Sequence, residues 1–248
     1  MSSNEYAQAA KRDFALMFAA DAREACGYVK GREVPDFKNG SVMNYSADGV
    51  ISWGKGSFNY VQEPGAKLML NNARSEKTFS FGVDIYDKKD ERLYVAGLSQ
   101  LNGASLNATV TDETKAVDGN SDQTTGNLCV GKTVPPLISR GAWQLAVKYL
   151  QVPKTTMSCV RLGKFEFMDV DFAFDGKVIT AGEHRFTEAD AQHSENWSID
   201  PHRDGAAIVY SMYKADGSGV GIGVSQANKL TFAELTPAKG DVLTCSTK

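Results

Sequence analysis

The sequence lacks the short motifs that would assign a chemistry to it. It contains no Cys-x-x-Cys pair, no His-Glu-x-x-His and no Gly-x-Ser-x-Gly elbow, which leaves thioredoxin-like, zincin-like and serine-hydrolase activities without support. The glycine run at 217–223 does not have the spacing of a dinucleotide-binding loop, and no helical pattern follows it. No catalytic residue is therefore predicted, and the sequence favours a protein that binds rather than one that catalyses.

Dense basic clusters and long apolar runs are also missing. The 27 Lys and Arg residues are outnumbered by 30 Asp and Glu residues, for a formal net charge of −3, which argues against a nucleic-acid partner. No apolar stretch approaches the roughly 20 residues that cross a bilayer, so no transmembrane segment is predicted. The apolar run from Phe14 to Ala20 lies between Asp13 and Asp21 and is interpreted as part of an amphipathic helix rather than a signal sequence.

What the chain does contain is an ordinary globular core with strand-like patterning. Twelve Phe and nine Tyr favour β-structure. Apolar residues alternate with polar ones around Phe81 and around Phe172, which predicts antiparallel strands with one solvated face. Helices are predicted after the capping-box pair Ser2 and Glu5, and after Ser139, where apolar residues recur at helical spacing.

Internal similarity is the strongest signal in the sequence. NYSADGVIS around Tyr45 matches VDFAFDGKVIT around Phe172, and the aspartates of their Asp-Gly pairs precede the matched serines Ser99 and Ser225 by 51 and 50 residues. The sequence therefore predicts repeat 1 over 1–133 and repeat 2 over 134–248. The fold class predicted is α+β, mostly antiparallel β, in two similar halves, each an N-terminal helix followed by a sandwich-like or barrel-like sheet.

The four cysteines fall where this repeat would place them. Four cysteines permit three pairings, and the duplication selects Cys26–Cys129 and Cys159–Cys245, one disulfide for each copy. Disulfides imply an oxidising compartment, so a secreted or periplasmic location is predicted, with the signal peptide absent from this numbering. The runner-up is a cytoplasmic protein in which the four cysteines are buried free thiols.

Three histidines form a candidate metal site. His184, His193 and His202 lie within nineteen residues, with carboxylates between them, and imidazole with carboxylate suits zinc, iron or copper. The alternative is a polar surface loop with solvated histidines. No cofactor is predicted apart from this divalent metal.

Two tryptophans are candidate contact residues. Trp53 and Trp197 lie outside the firmest strand patterns, and Trp197 is close in sequence to His193 and His202, which makes this segment a candidate surface for a protein, small-molecule or carbohydrate ligand. The alternative is that both indoles cover the core.

The function predicted is a secreted or periplasmic, non-catalytic binding or interaction protein built from a duplicated, disulfide-clasped module. A metal-binding protein or metal-dependent enzyme that uses the histidine segment is one alternative. A cytoplasmic structural protein with free thiols is the other.

Overall fold

The computed structural model describes residues 2–18, 20–22, 26–30, 43–53, 56–74, 78–86, 89, 92–100, 106–114, 125–131, 141–164, 166–191, 193–200 and 207–247. Two α-helices lie in these ranges, α1 (Ser3–Phe18) and α2 (Gly141–Tyr149), and a 3-10 helix spans Glu188–Asp190. No helix of the described part of the chain is long and apolar enough to cross a bilayer.

Antiparallel strands make up most of the described chain, as predicted. The strands of its first half are β1 (Ala20–Ala22), β2 (Cys26–Lys30), β3 (Met43–Tyr45), β4 (Val50–Trp53), β5 (Gly56–Asn59), β6 (Ala66–Ala73), β7 (Thr78–Tyr86), β8 (Arg92–Gln100), β9 (Leu106–Asp112) and β10 (Thr125–Gly131). Those of its second half are β11 (Val152–Arg161), β12 (Glu166–Phe174), β13 (Ile179–Ala181), β14 (His184–Phe186), β15 (Ser194–Asp200), β16 (Ala207–Tyr213), β17 (Gly219–Gln226), β18 (Lys229–Thr236) and β19 (Leu243–Ser246).

The predicted fold of two similar halves, each an N-terminal helix followed by a sheet, is wrong. The strands form one large sheet in the order β14-β13-β12-β11-β19-β18-β17-β16-β15-β6-β7-β8-β9-β10-β2, and a small sheet in the order β1-β3-β4-β5. Strands β15 and β6 are hydrogen-bonded neighbours in the large sheet. In two separate sheets, each of these strands would instead be an edge strand. A free edge leaves backbone N–H and C=O groups unpaired, and pairing the two strands removes that cost.

The chain divides into two compact units whose limits differ from the sequence repeats. We call them the C-terminal unit (Met1–Ala10, Asn71–Glu76, Ser139–Lys248) and the central unit (Lys11–Leu70, Lys77–Ile138). Helix α1 and strand β6 are each divided between the units, so neither belongs to one half alone. The predicted repeat boundary at 133/134 lies outside the described residues.

In the central unit, the apolar face of α1 packs against the large sheet. Phe14 is fully buried, and its ring centroid lies 5.4 Å from that of Phe81 and 6.3 Å from that of Tyr60. The alternating apolar residues of β7 are all buried, as predicted. The turn before β4 uses Gly49 at a positive φ of 83°, a conformation that glycine adopts without steric cost.

In the C-terminal unit, α2 lies against β12 and β16. The ring of Trp143 lies 5.4 Å from Phe174 and 5.7 Å from Tyr210, centroid to centroid, and the predicted helical face is buried at Trp143, Ala146 and Leu150. The predicted cap Ser139 lies outside the described residues. At the start of α1, the predicted capping box is confirmed, because Ser2 N donates to Glu5 Oε2 at 2.7 Å and Glu5 N donates to Ser2 Oγ at 3.3 Å.

A lysine on α1 is buried in the central unit. Lys11 is only 4% exposed, and its Nζ donates to the backbone oxygen of Glu63 at 2.8 Å. Burial lowers the pKa of Lys11 to about 8 from an ordinary 10.5, and the charge of Glu63 opposes part of this shift. Protonated Lys11 is therefore costly to the folded state at neutral pH.

We expect Lys11→Met to raise the free energy of unfolding at pH 7 by about 2 kcal/mol, somewhat less than the ~3 kcal/mol that the shifted pKa represents. Between about pH 8 and pH 10.5 the unfolded wild-type chain binds more protons than the folded one, so wild-type stability rises with pH across this window. The advantage of the variant should shrink over the same range in urea titrations. Lys229→Met, at an exposed lysine, is the matched control, and a difference that does not change with pH would contradict the prediction.

Candidate functional site

One predicted disulfide is present in the structure. Cys159 and Cys245 are bonded to each other and are almost completely buried, because β11 and β19 are adjacent and place these two residues directly opposite one another. Strands β2 and β10 are also adjacent, and their register places the backbone of Cys26 directly opposite that of Cys129. The bond between Cys26 and Cys129 stays a prediction.

The predicted metal site falls partly outside the described residues, since His202 lies there. His184 is exposed at the start of β14, and His193 is exposed just before β15, where its backbone N–H donates to Tyr213 O at 3.2 Å. The described part of the chain holds no group of three His, Cys, Asp or Glu side chains that could bind a metal. Metal binding by the three histidines stays a prediction.

A lysine immediately after β16, Lys214, contacts the segment that lies between the two described histidines. Lys214 Nζ lies 3.6 Å from Asp190 Oδ1, donates to Arg185 O at 3.2 Å and sits 4.7 Å from the centroid of the Phe186 ring. The Lys214 ammonium group is therefore paired with the Asp190 carboxylate of the 3-10 helix and held beside β14.

Of the two predicted contact tryptophans, one is buried and the other is partly exposed. Trp197 is 1% exposed and belongs to the core of the C-terminal unit, on the same face of β15 as Glu195 and Ile199. Trp53 is partly exposed in the central unit, where its ring contacts those of Phe58 and Tyr94.

Glu195, one of the carboxylates near the histidines, belongs to a buried network instead of a metal site. Its Oε1 accepts hydrogen bonds from Asn72 Nδ2 at 3.0 Å and from Arg74 Nη2 at 2.6 Å, and its Oε2 accepts one from the Tyr210 hydroxyl at 2.9 Å. Glu195 is fully buried. Burial, and then the charge of Glu195, raise the pKa of Tyr210 well above its usual range, so the phenol remains the proton donor of this pair.

A groove of about 600 Å³ lies in the C-terminal unit, and we call it the β12 groove. It lies on the solvated side of β11, β12 and β13. Its lining residues are Lys154, Thr156, Asp169, Val170, Asp171, Ala173, Thr180 and Gly182. Alternation explains most of this composition, because Asp169, Asp171 and Ala173 alternate along β12 with Phe172 and Phe174, which are buried on its other side.

The charged groups of the β12 groove hold one another in place. Lys154 Nζ lies 2.7 Å from Asp171 Oδ2, and Thr156 Oγ1 donates to Asp171 Oδ1 at 2.6 Å across the β11–β12 pair. Hydrogen bonds from Lys154 and then from Thr156 lower the pKa of Asp171 below its ordinary value. Asp171 is therefore an anion at neutral pH, with both of its oxygens already in use.

This arrangement suits binding better than proton transfer. A general acid or base works best when its pKa lies near the operating pH, whereas the pKa of Asp171 is shifted away from neutrality. The remaining N–H donors of Lys154 and the hydroxyl of Thr180 offer both donors and an acceptor to a polar ligand. The sequence signal for the groove was the pair Asp169 and Asp171 on one face of a strand. Which residues of β11 and β13 lie opposite them depends on the strand register, which the sequence does not show.

No protein-family model and no curated protein sequence matches this chain. The candidate site therefore rests on the geometry described above.

Proposed function

We propose that the chain is a secreted or periplasmic, non-catalytic binding protein that takes a small polar ligand in the β12 groove. The observation that carries the proposal is the groove itself. Its volume of about 600 Å³ lies within the range of small-molecule sites, roughly 300–1,000 Å³. Its polar lining favours a ligand with hydrogen-bonding groups, including an acceptor for Lys154.

Preorganisation supports the proposal. Lys154, Thr156 and Asp171 are fixed on paired strands by contacts of 2.6–2.7 Å, so a ligand would not have to pay for ordering them. The Cys159–Cys245 disulfide joins β11, which carries two of the groove residues, to the neighbouring β19. This frame favours a rigid recognition surface.

Location outside the cytoplasm is supported by the same disulfide, since such bonds persist mainly in oxidising compartments. Descent from a duplicated module is supported by the order of strand pairing. The strands that carry the first and last cysteine of each predicted repeat are neighbours, β2 with β10 and β11 with β19. The strands beyond them then follow in descending order, β9 to β6 and β18 to β15.

We expect Lys154→Ala and Asp171→Asn to weaken ligand binding by about tenfold or more, since each substitution breaks a charged pair at the site. Both positions are substantially exposed, so the free energy of unfolding should change by less than about 0.5 kcal/mol. The measurement is isothermal titration calorimetry against a panel of amino acids, dipeptides and amino sugars, after a thermal-shift screen of the same compounds.

The matched control is the exposed ion pair Lys164–Asp241, whose charged atoms lie 3.5 Å apart outside the groove. Lys164→Ala and Asp241→Asn should leave binding unchanged. If no member of the panel binds, or if the control variants reduce binding as much as the groove variants do, the β12 groove is not the ligand site.

A further inference from the structure

Three aromatic side chains meet in the central unit, and we call them the Trp53 cluster. Trp53 comes from β4, Phe58 from β5 and Tyr94 from β8, and their ring centroids are 5.3–5.9 Å apart. Phe58 is 8% exposed and forms the base of the cluster, with the Tyr94 ring stacked on it at an interplanar angle of 26°. Trp53 and Tyr94 are both partly exposed.

A glycine fixes the position of the Trp53 indole. A Cβ atom added to Gly56 would lie 2.5 Å from Trp53 Cζ2 and 2.8 Å from Cε2, closer than real atoms approach one another. The indole therefore lies directly against the backbone of β5, and a larger residue at position 56 would displace it. One side of each exposed ring is thus covered, by Gly56 for Trp53 and by Phe58 for Tyr94, which leaves a platform rather than a cage.

Polar groups lie at the edge of this platform. Asp112 on β9 is directly opposite Tyr94 on β8, and the backbone N–H and hydroxyl of Thr114 donate to Asp112 Oδ1 at 3.0 and 2.6 Å. Within the described residues, neither Asp112 Oδ2 nor the Tyr94 hydroxyl nor the Trp53 indole N–H makes a hydrogen bond. Burial, and then the charge of Asp112, raise the pKa of Tyr94, so its hydroxyl keeps its proton and can donate.

We propose that Trp53, Tyr94 and Asp112 form a carbohydrate-binding site. A pyranose ring has an apolar C–H face that can lie on the exposed indole, and hydroxyls around its rim that can donate to Asp112 Oδ2 and accept from Tyr94 or from the indole N–H. Aromatic residues that combine an apolar body with a polar tip suit such amphipathic ligands. A quaternary ammonium ion would instead favour several ring faces arranged around it as a cage. This site is separate from the β12 groove and does not depend on the function proposed for that groove.

Tryptophan fluorescence can report on this site selectively. The chain has three tryptophans, and Trp143 and Trp197 are 6% and 1% exposed, so Trp53 is the one that a soluble quencher reaches most readily. The probes are hexasaccharides of β-1,4-linked glucose, xylose and N-acetylglucosamine, with choline as the cationic comparison. We expect at least one hexasaccharide to protect Trp53 from iodide quenching in a saturable manner.

Variants then separate binding from folding. By calorimetry, Trp53→Ala and Tyr94→Ala should each weaken sugar binding by about tenfold or more, and Asp112→Asn should weaken it less. Tyr94→Phe keeps the stacked ring and should retain most of the affinity lost in Tyr94→Ala. Tyr213→Ala, which removes a partly exposed tyrosine of the C-terminal unit, should have no effect.

Three results would each overturn the proposal: no hexasaccharide binds, Trp53→Ala and Tyr94→Ala leave binding unchanged, or choline binds while the sugars do not. Trp53→Phe is included because it preserves an aromatic ring in the cluster if Trp53→Ala fails to fold. Trp53→Phe also removes the exposed indole. Loss of the iodide-quenchable fluorescence in this variant would show that the signal comes from Trp53.

Discussion

Glu195→Ala should lower the free energy of unfolding by about 3 kcal/mol, because it leaves buried donors without their acceptor. Glu195 is fully buried and accepts hydrogen bonds from Asn72, Arg74 and Tyr210. Its removal leaves the Arg74 side chain, which is only 25% exposed, without its carboxylate partner. The Asn72 amide and the Tyr210 hydroxyl lose the same acceptor group. Urea titration followed by circular dichroism measures the change.

The network should respond as a unit. Glu195→Gln keeps an acceptor oxygen but loses the negative charge facing Arg74, so we expect a smaller loss of about 1–2 kcal/mol. The double variant Glu195→Ala with Arg74→Ala should be more stable than the sum of the two single effects predicts, by about 1 kcal/mol or more. Glu183→Ala, at an exposed glutamate, should change stability by less than about 0.5 kcal/mol. An equal effect at positions 183 and 195 would show that the network is unimportant.

Removal of the Cys159–Cys245 disulfide should be comparably costly. The bond joins residues separated by 86 positions in the chain, and in the chain-entropy model closure of such a loop stabilises the folded state by about 4 kcal/mol. The double variant Cys159→Ala and Cys245→Ala should therefore unfold at much lower urea concentration than the wild type. Addition of a reductant should lower the urea midpoint of the wild type. It should lower that of the variant by less, because the Cys159–Cys245 bond is already absent there.

The same measurement on the double variant Cys26→Ala and Cys129→Ala tests the second predicted bridge. Because β2 and β10 place these residues directly opposite each other, as β11 and β19 place Cys159 and Cys245, we expect a second bridge. Non-reducing peptide mapping should find Cys26–Cys129 beside Cys159–Cys245, and the double variant Cys26→Ala and Cys129→Ala should also lose stability. Two alkylated thiols at positions 26 and 129 would refute the second bridge.

The parts of the fold that sequence reasoning anticipated are local ones. The capping box of Ser2 and Glu5 and the buried alternation of β7 involve residues at most eight positions apart. Side-chain hydrogen bonding and period-two burial act over such distances whatever the rest of the chain does. The pairing of Cys159 with Cys245 was also anticipated, because internal similarity carried information that a single segment lacks.

The candidate sites were harder to predict for a physical reason. The β12 groove needs Lys154 and Thr156 to stand across from Asp171, which depends on the register between two strands. The Trp53 cluster needs β4 and β5 of the small sheet to meet β8 of the large one. The burial of Trp197, by contrast, had a readable signal, since Glu195, Trp197 and Ile199 alternate with polar residues and share the inner face of β15.

The sequence by itself determined the antiparallel strands, the two helices with the cap of α1, and the pairing of Cys159 with Cys245, because each follows from local propensity or from internal similarity. Only the tertiary structure decided that β6 and β15 are neighbours in one sheet and that Glu195 serves Asn72 and Arg74, more than 120 positions away in the chain. Backbone edges and buried charges must find partners somewhere, but neither requirement says which distant segment will supply them. That choice is made when the whole chain packs.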